Sequence, residues 1–271
     1  MRIVALIAVR NEELTLERCL RHLIGQGVEI CLIDNGSTDR TLDIAHSLAR
    51  DGVFRIEHLP FDGTFELAKQ CALQEQLSGE IVADWFLRQD ADEIRHSDNW
   101  PAQTLSNAVA DIDAQGCNAI GFDEFVFVPT SDDGDFEATD FVAEMNHYYY
   151  YVPFPNHRVN MWKRRRGTPV DLVSSGGHTV NFAGRRIADR ALPMRHYIVL
   201  GAAHAARKYG PARVYSAAEM DQRGWHRARN TWRHMRFRAP HPSEMKQLVP
   251  GQRFDTSDPK RKHIFWSDAA P

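Results

Sequence analysis

Residues 3–9 (IVALIAV) form an unbroken apolar run rich in Ile and Val, the pattern of a strand covered on both faces. The period then lengthens. Asn11 can cap a helix with Glu12 and Glu13 in its first turn, and Leu14, Leu16, Leu20, Leu23 and Ile24 give it an apolar face until Gly25 and Gly27 end it. Residues 29–33 (EICLI) read as a second buried strand, closed by the turn Asp34-Asn35-Gly36-Ser37. Ser37 or Thr38 can cap a second helix carrying Leu42, Ile44, Ala45 and Leu48. A third strand over 54–59, a third helix over 66–76 and a fourth strand over 83–87 follow, the last running into Arg88-Gln89-Asp90-Ala91-Asp92-Glu93. Strand–helix units of this length predict right-handed crossovers and a mostly parallel sheet. Such sheets bind ligands beyond the carboxyl ends of their strands.

The rest of the chain is less regular. A helix is expected over 105–114, a strand over 119–128 and an acidic, Gly-containing loop over 131–140. Residues 148–152 and 159–162 suggest antiparallel strands, with Lys163-Arg164-Arg165-Arg166-Gly167 as a basic hairpin turn. Helical character dominates 201–237, and the last thirty residues, rich in Pro, Ser and charge, read as a strapping or mobile tail. No internal repeat or low-complexity segment stands out.

Composition narrows the class. A chain of 271 residues with 43% hydrophobic and 25% charged residues suits one large globular domain or two small ones. No run approaches the ~20 apolar residues that span a bilayer. The opening MRIVALIAVRNEE lacks a small-residue cleavage pattern and reads as a first strand, not a signal peptide. Cys19, Cys31, Cys71 and Cys117 are far apart with no Cys-x-x-Cys pair, which points to reduced thiols in a cytoplasmic protein without a zinc module. The net charge of -3 hides a division: up to Tyr150 there are 10 Lys and Arg against 28 Asp and Glu, leaving 23 against 8 in the remainder. Either the halves neutralise each other across an interface, or the basic half holds a phosphate-bearing ligand or an anionic surface.

Asp90-Ala91-Asp92 directly follows a buried strand, and two carboxylates one residue apart in a turn can approach a single hard cation. Such an ion bridges diphosphate oxygens and stabilises a departing nucleotide, although turns and caps use the same residues. Ala8-Val9-Arg10-Asn11-Glu12 carries neither the Walker pattern nor Gly-x-Gly-x-x-Gly, so a P-loop and a Rossmann dinucleotide site are both disfavoured. Asp34 can accept hydrogen bonds from a base or ribose, or can serve simply as a turn residue.

AVRNE (8–12), LIDNGSTDRT (32–41) and LRQDADEI (87–94) resemble, in order and spacing, the nucleotide-binding half of glycosyltransferase family 2, over about the first 130 residues. The resemblance implies the GT-A fold: an α/β, mostly parallel twisted sheet flanked by helices, followed by a largely helical acceptor-side extension. It divides the chain into a nucleotide-sugar half (1–130) and an acceptor-side half (131–271), as one continuous domain. It implies a nucleoside-diphosphate-sugar donor, most commonly UDP-linked, a Mn2+ or Mg2+ ion, and inverting transfer to a glycan, small-molecule or lipid-linked acceptor. On this resemblance Ala8 and Arg10 border the nucleotide, Asp34 takes the base, and Lys69 adds a polar contact. Asp90 faces the ribose or the metal, and Asp92 is the main metal ligand. His196, in Met194-Arg195-His196-Tyr197, matches a late His that serves the family as a further metal ligand, with the alternative of a buried, hydrogen-bonded imidazole. His204 and Lys208, four apart on a helix, either meet the diphosphate or form a solvated face.

The family's usual base motifs are absent. Glu124 and His178, the latter beside Gly176 and Gly177, stand level as candidates for the group that deprotonates the acceptor, ahead of Asp123 and Asp171. Residues 223–238 interleave aromatic and basic side chains and suit a lid over the diphosphate, a peripheral contact with anionic lipid at the inner membrane face, or packing on the acidic half. Nucleic acid is not expected, because no reading motif accompanies the charge. Two other functions remain as alternatives. One is nucleotidylyl transfer to a sugar phosphate, which would call for a Gly-rich basic loop after the first strand; the other is binding of a nucleotide sugar without turnover.

Overall fold

A computed structural model of the chain describes residues 1–153, 158–210, 213–226 and 235–268. They fall into two compact units: Met1–Phe61, Leu67–Asp123 and His157–Met194 make the first, and Asp62–Glu66, Glu124–Asn156 and Arg195–Pro271 the second. In chain order the elements are β1 (Ile3–Val9), α1 (Leu16–Gly25), β2 (Glu29–Asp34), α2 (Thr41–Ser47), β3 (Val53–His58), α3 (Leu67–Glu80), β4 (Trp85–Gln89), β5 (Glu93–Arg95), α4 (Leu105–Ala114), β6 (Ala119–Ile120), β7 (Phe122–Phe127), α5 (Phe141–Glu144), β8 (His147–Tyr151), β9 (Met161–Lys163), β10 (Leu192–His196), α6 (Ala202–Tyr209), α7 (Ala217–Arg223), β11 (Met235–Phe237), β12 (Lys246–Gln247) and β13 (Trp266–Asp268).

The first unit is built on a six-stranded sheet in the order β3-β2-β1-β4-β9-β6. Strands β1 to β4 run parallel, β9 pairs antiparallel with β4, and β6 pairs antiparallel with β9. This is the mostly parallel α/β sheet expected from the alternating pattern. Its registers matter for function. Val9 pairs with Asp34, Asp34 with His58, and Ile7 with Gln89, so the chain leaves β1, β2 and β4 at one edge of the sheet. Both faces are covered: Ile3, Ala5, Ile7 and Val9 pack with Leu16, Leu20 and Leu23 of α1, while Val4 and Leu6 pack with Cys71 and Leu77 of α3. A strand buried on both sides cannot alternate polar and apolar residues, which is why IVALIAV is continuous.

Local details depart from the simple pattern. Asn11 adopts a left-handed conformation (φ 55°) instead of capping a helix, and α1 begins only at Leu16. Likewise Arg40, not Ser37 or Thr38, precedes α2. Helix α3 buries Gln70 and Gln74, and Gln74 Nε2 donates to the Leu6 carbonyl at 3.0 Å, tying the helix to the central strand.

In the second unit β7 and β8 pair antiparallel, with Phe127 opposite Tyr148, and β12 extends the pair through Lys246 and Gln247. Phe254 stacks on Phe125 with 4.1 Å between centroids. The helical expectation for 201–237 holds for α6 and α7 only. Residues 235–237 are strand, paired with β13, and residues 227–234 lie outside the described residues. No helix of the described residues is long and apolar enough to cross a membrane.

All four cysteines are free, with Cys19, Cys31 and Cys71 buried and Cys117 partly exposed. Burial pushes the Cys31 thiol up to about 12 and the Cys71 thiol up to about 11, and it raises Cys19 as well. A thiol reagent should therefore label only Cys117 rapidly in the native protein and all four cysteines in denaturant. Rapid native labelling of a second thiol contradicts this core.

Candidate functional site

Two loops leave the carboxyl ends of β1 and β2 and are bonded to each other. Asn11 N–H donates to Ser37 Oγ at 3.1 Å and Thr38 N–H to Asn11 Oδ1 at 2.7 Å, while Glu12 N–H donates to Thr41 Oγ1 at 2.8 Å. Glu13 N–H reaches Asp39 Oδ2 at 3.1 Å, and Arg40 N–H returns to Glu13 Oε2 at 3.2 Å. The residues of AVRNE and NGSTDRT thus form one rigid platform. Asp34 is buried beneath it, its carboxylate accepting the Gly36 and Ser37 amides at 3.1 Å each, with His58 Nδ1 3.7 Å away. Asn35 Nδ2 donates to the Leu59 carbonyl at 3.0 Å and its Oδ1 accepts from Gln70, so Asn35 is a turn former. Arg10 lies across this turn: Nη1 donates to the Asn35 and Gly36 carbonyls, and the guanidinium sits 3.4 Å from the centroid of the Phe61 ring. Ala8 is a small, partly buried residue at the tip of β1, and Lys69 is exposed in the first turn of α3.

At the end of β4 the chain makes a tight acidic turn into β5. Asp90 N–H donates to Glu93 Oε2 at 3.1 Å, and Gln89 Nε2 holds the Asp90 and Glu93 carbonyls at 2.9 and 2.8 Å. The turn rests on a buried polar network. Glu93 and Arg95, both with 0% side-chain exposure, pair at 2.6 Å. Arg95 Nη1 also donates to the Arg88 carbonyl and to Asn160 Oδ1, each at 2.9 Å, and Arg158 approaches Glu93 at 3.9 Å. Arg88 Nη1 donates to Asp90 Oδ2 at 3.0 Å. Burial opposes ionisation of Asp90, but the Arg88 guanidinium outweighs it and holds the carboxyl below its ordinary value, with the Asp92 charge pulling the other way. Asp92 itself is buried.

His178 lies beside this network with Nδ1 3.0 Å from Arg158 Nη1. A guanidinium can only donate, so His178 Nδ1 accepts and, in the neutral ring, Nε2 carries the proton. The neighbouring Gly177 (φ +79°) is needed for Arg88: a Cβ there would lie 2.2 Å from Arg88 Nε. Gly177 thus makes room for a side chain of β4. Asp171 Oδ1 accepts the Ser174 amide at 2.8 Å in a turn.

Glu124 and His196 belong to the second unit and form a pair of their own, His196 Nδ1 lying 2.6 Å from Glu124 Oε1. Glu124 has no side-chain exposure, so it meets the imidazole and not solvent. Because an ionised carboxylate only accepts, Nδ1 is the protonated nitrogen and the lone pair of the neutral ring falls on Nε2. His204 Nδ1 accepts the Leu200 amide at 3.0 Å and caps the chain entering α6. Of the segment 223–238, residues 227–234 lie outside the described residues.

The profile of Glycosyl transferase family 2 matches residues 4–186, which contain both loops and the acidic turn. The chain belongs to glycosyl transferase family 2. A comparison with curated proteins finds no match. Among solved structures, S. aureus TarS is similar at 14% identity over 73% of this chain and 37% of its own, with a TM-score of 0.46. TarS 1–349 in complex with UDP is similar at 13% identity over 73% of this chain and 61% of its own, with a TM-score of 0.43. Glucosyl-3-phosphoglycerate synthase from Mycobacterium tuberculosis, in complex with Mn2+, UDP and phosphoglyceric acid, is 18% identical over 45% of this chain and 43% of its own, with a TM-score of 0.30. This family member spans between 37% and 61% of the length of the TarS structures it matches.

The Asp90–Glu93 turn lies within the matched residues, and its donor set can be tested against a divalent ion. Among the described residues no group of three or more His, Cys, Asp and Glu side chains forms a ready-made cage. Asp90 and Asp92 still fit a hard cation that takes its remaining ligands from water and from a substrate diphosphate, as magnesium sites commonly do. Sequence reasoning missed Arg88, Arg95 and Arg158, and noted Gly177 only as a neighbour of His178. The signal for Arg88 and Arg95 was there, since a charged residue within a buried apolar strand must have a partner.

The Glu93–Arg95 pair gives a stability prediction. Arg95→Met alone leaves a buried carboxylate without its guanidinium and should lower the unfolding free energy by about 3–5 kcal/mol. The double variant Glu93→Leu, Arg95→Met should recover at least half of that loss in urea denaturation. A double variant no more stable than the single one contradicts the pairing.

Proposed function

We propose that the chain transfers a sugar from a nucleoside-diphosphate sugar, UDP-linked, to an acceptor hydroxyl, with inversion and with the help of a Mn2+ or Mg2+ ion. The observation that carries this reading is the convergence, at one edge of a parallel sheet, of the bonded β1 and β2 loops and the Asp90–Asp92 turn. A nucleotide lying along that edge meets Arg10 and the turn backbone that Asp34 holds in shape, with Ala8 leaving space at the strand tip. Asp34 thereby acts on the nucleotide chiefly by fixing the loop, since its carboxylate already holds two amides. Lys69, exposed at the start of α3, would add charge to the phosphates.

Asp90 and Asp92 would hold the ion, which supplies positive charge to the nucleoside diphosphate as it leaves. Inverting displacement also needs a group to take the acceptor proton. His178 is poorly disposed, because its basic nitrogen is spent on Arg158. Glu124 is enclosed and acts through His196, orienting the ring and raising its basicity, as a carboxylate does for an imidazole. Within the second unit the Glu124–His196 pair has the acid–base chemistry such a group needs, with Glu124 as the positioning residue of the ring. The acceptor class follows only in outline: a hydroxyl of a glycan, a small molecule or a lipid-linked sugar.

Incubation with UDP-sugars and Mn2+ tests the reading. Released UDP supports transfer or its hydrolytic side reaction; pyrophosphate release indicates nucleotidylyl transfer; saturable binding with neither product indicates a binding protein. Asp92→Asn should cut turnover by about 100-fold or more while the metal-free melting temperature stays within a few degrees of the parent. A collapse in melting temperature with the same activity loss would make Asp92 a structural residue.

A further inference from the structure

We propose that Arg88 is a built-in counter-ion of the acidic turn, so that a divalent cation binds well only together with the donor's diphosphate. The inference rests on the reading of Asp90 and Asp92 as the residues that hold the ion. Arg88 sits in β4 between Leu87 and Gln89, both wholly buried, and is itself only 5% exposed. A guanidinium in such a place is retained only with a partner. The partner is Asp90 Oδ2 at 3.0 Å. The Glu93 carboxylate is already committed to Arg95 at 2.6 Å and to the Asp90 amide at 3.1 Å. From the other side the left-handed Gly177 closes on Arg88, leaving no room even for a Cβ. The guanidinium is therefore clamped beside Asp90, not swinging at the end of a flexible stem.

The local charge follows. Asp90, Asp92 and Glu93 stand with Arg88, Arg95 and Arg158, three carboxylates against three guanidiniums that act on one another. An acidic turn with no cations of its own attracts a free dication; a balanced one does not, and the dication also meets Arg88 beside the oxygen it seeks. A nucleoside diphosphate brings the missing negative charge and further oxygen ligands, so cation and diphosphate each promote the other's binding by the same factor. Arg88 thus sets the order of events: the site stays closed to the bare metal and accepts the metal with its substrate.

Titration of Mn2+ by electron paramagnetic resonance, with and without saturating UDP, tests this on the intact protein. In the parent, UDP should tighten Mn2+ binding at least tenfold. Arg88→Met should bind Mn2+ at least tenfold more tightly than the parent in the absence of UDP, with the UDP effect correspondingly smaller. Arg88→Lys, which keeps the charge, should behave like the parent. Equal Mn2+ affinity of the parent and Arg88→Met without UDP overturns the inference while leaving the metal assignment standing. Absence of Mn2+ binding in every protein, even with UDP, overturns the metal assignment and the inference with it. Should Arg88→Met not fold, the parent decides: Mn2+ affinity unchanged by UDP overturns the proposal, and tight binding of Mn2+ without UDP does so equally.

Discussion

Burying acid and arginine side by side at the tip of β4 is the constraint on which the site depends. Glu93 and Arg95 are wholly removed from water, and each would be intolerable alone. Together with Asn160, Arg158 and the Arg88 carbonyl they make a polar core that fixes the backbone of the Asp90–Glu93 turn from below. On the proposed reading the turn would then present Asp90 and Asp92 on a rigid base to an ion held between protein and substrate. The same arrangement removes most of the negative field that an acidic turn would otherwise project.

A second support is the cross-bonding of the β1 and β2 loops. Neither loop contains the glycine pattern that wraps a phosphate in backbone amides. Its place is taken by reciprocal side-chain-to-backbone bonds among Asn11, Glu12, Glu13, Ser37, Thr38, Asp39 and Thr41. On the proposed reading such a platform would offer shape and a few polar atoms to a nucleotide, and would leave neutralisation of the phosphates to cations. That division of labour would separate the chain from nucleotide-binding proteins whose phosphates lie on a helix N-terminus.

Much of this was legible in the residues. The doubly buried strands announced themselves as continuous apolar runs, and the three motifs fell where the parallel sheet brings them together. What stayed hidden depends on contacts between residues far apart in sequence. Nothing local marks Gly177 as the wall of the Arg88 pocket, or Arg158 as the donor to His178. Asn11 read as a helix cap because cap and loop cross-link call for the same short polar side chain; only its partner in the next loop decides. Glu124 and His196 were each visible as titratable residues, but their separation by 72 positions concealed that they bond to each other.

The central claim is that the Asp90–Glu93 turn and the β1 and β2 loops share one cation–diphosphate complex. Paramagnetic broadening of backbone amide resonances by Mn2+ in the presence of UDP tests it most directly. The account predicts broadening centred on residues 90–93 and reaching Arg10 and the 34–37 turn, with little change when Mn2+ is added alone. Broadening centred elsewhere, with the 90–93 amides sharp in the presence of both ligands, would contradict it.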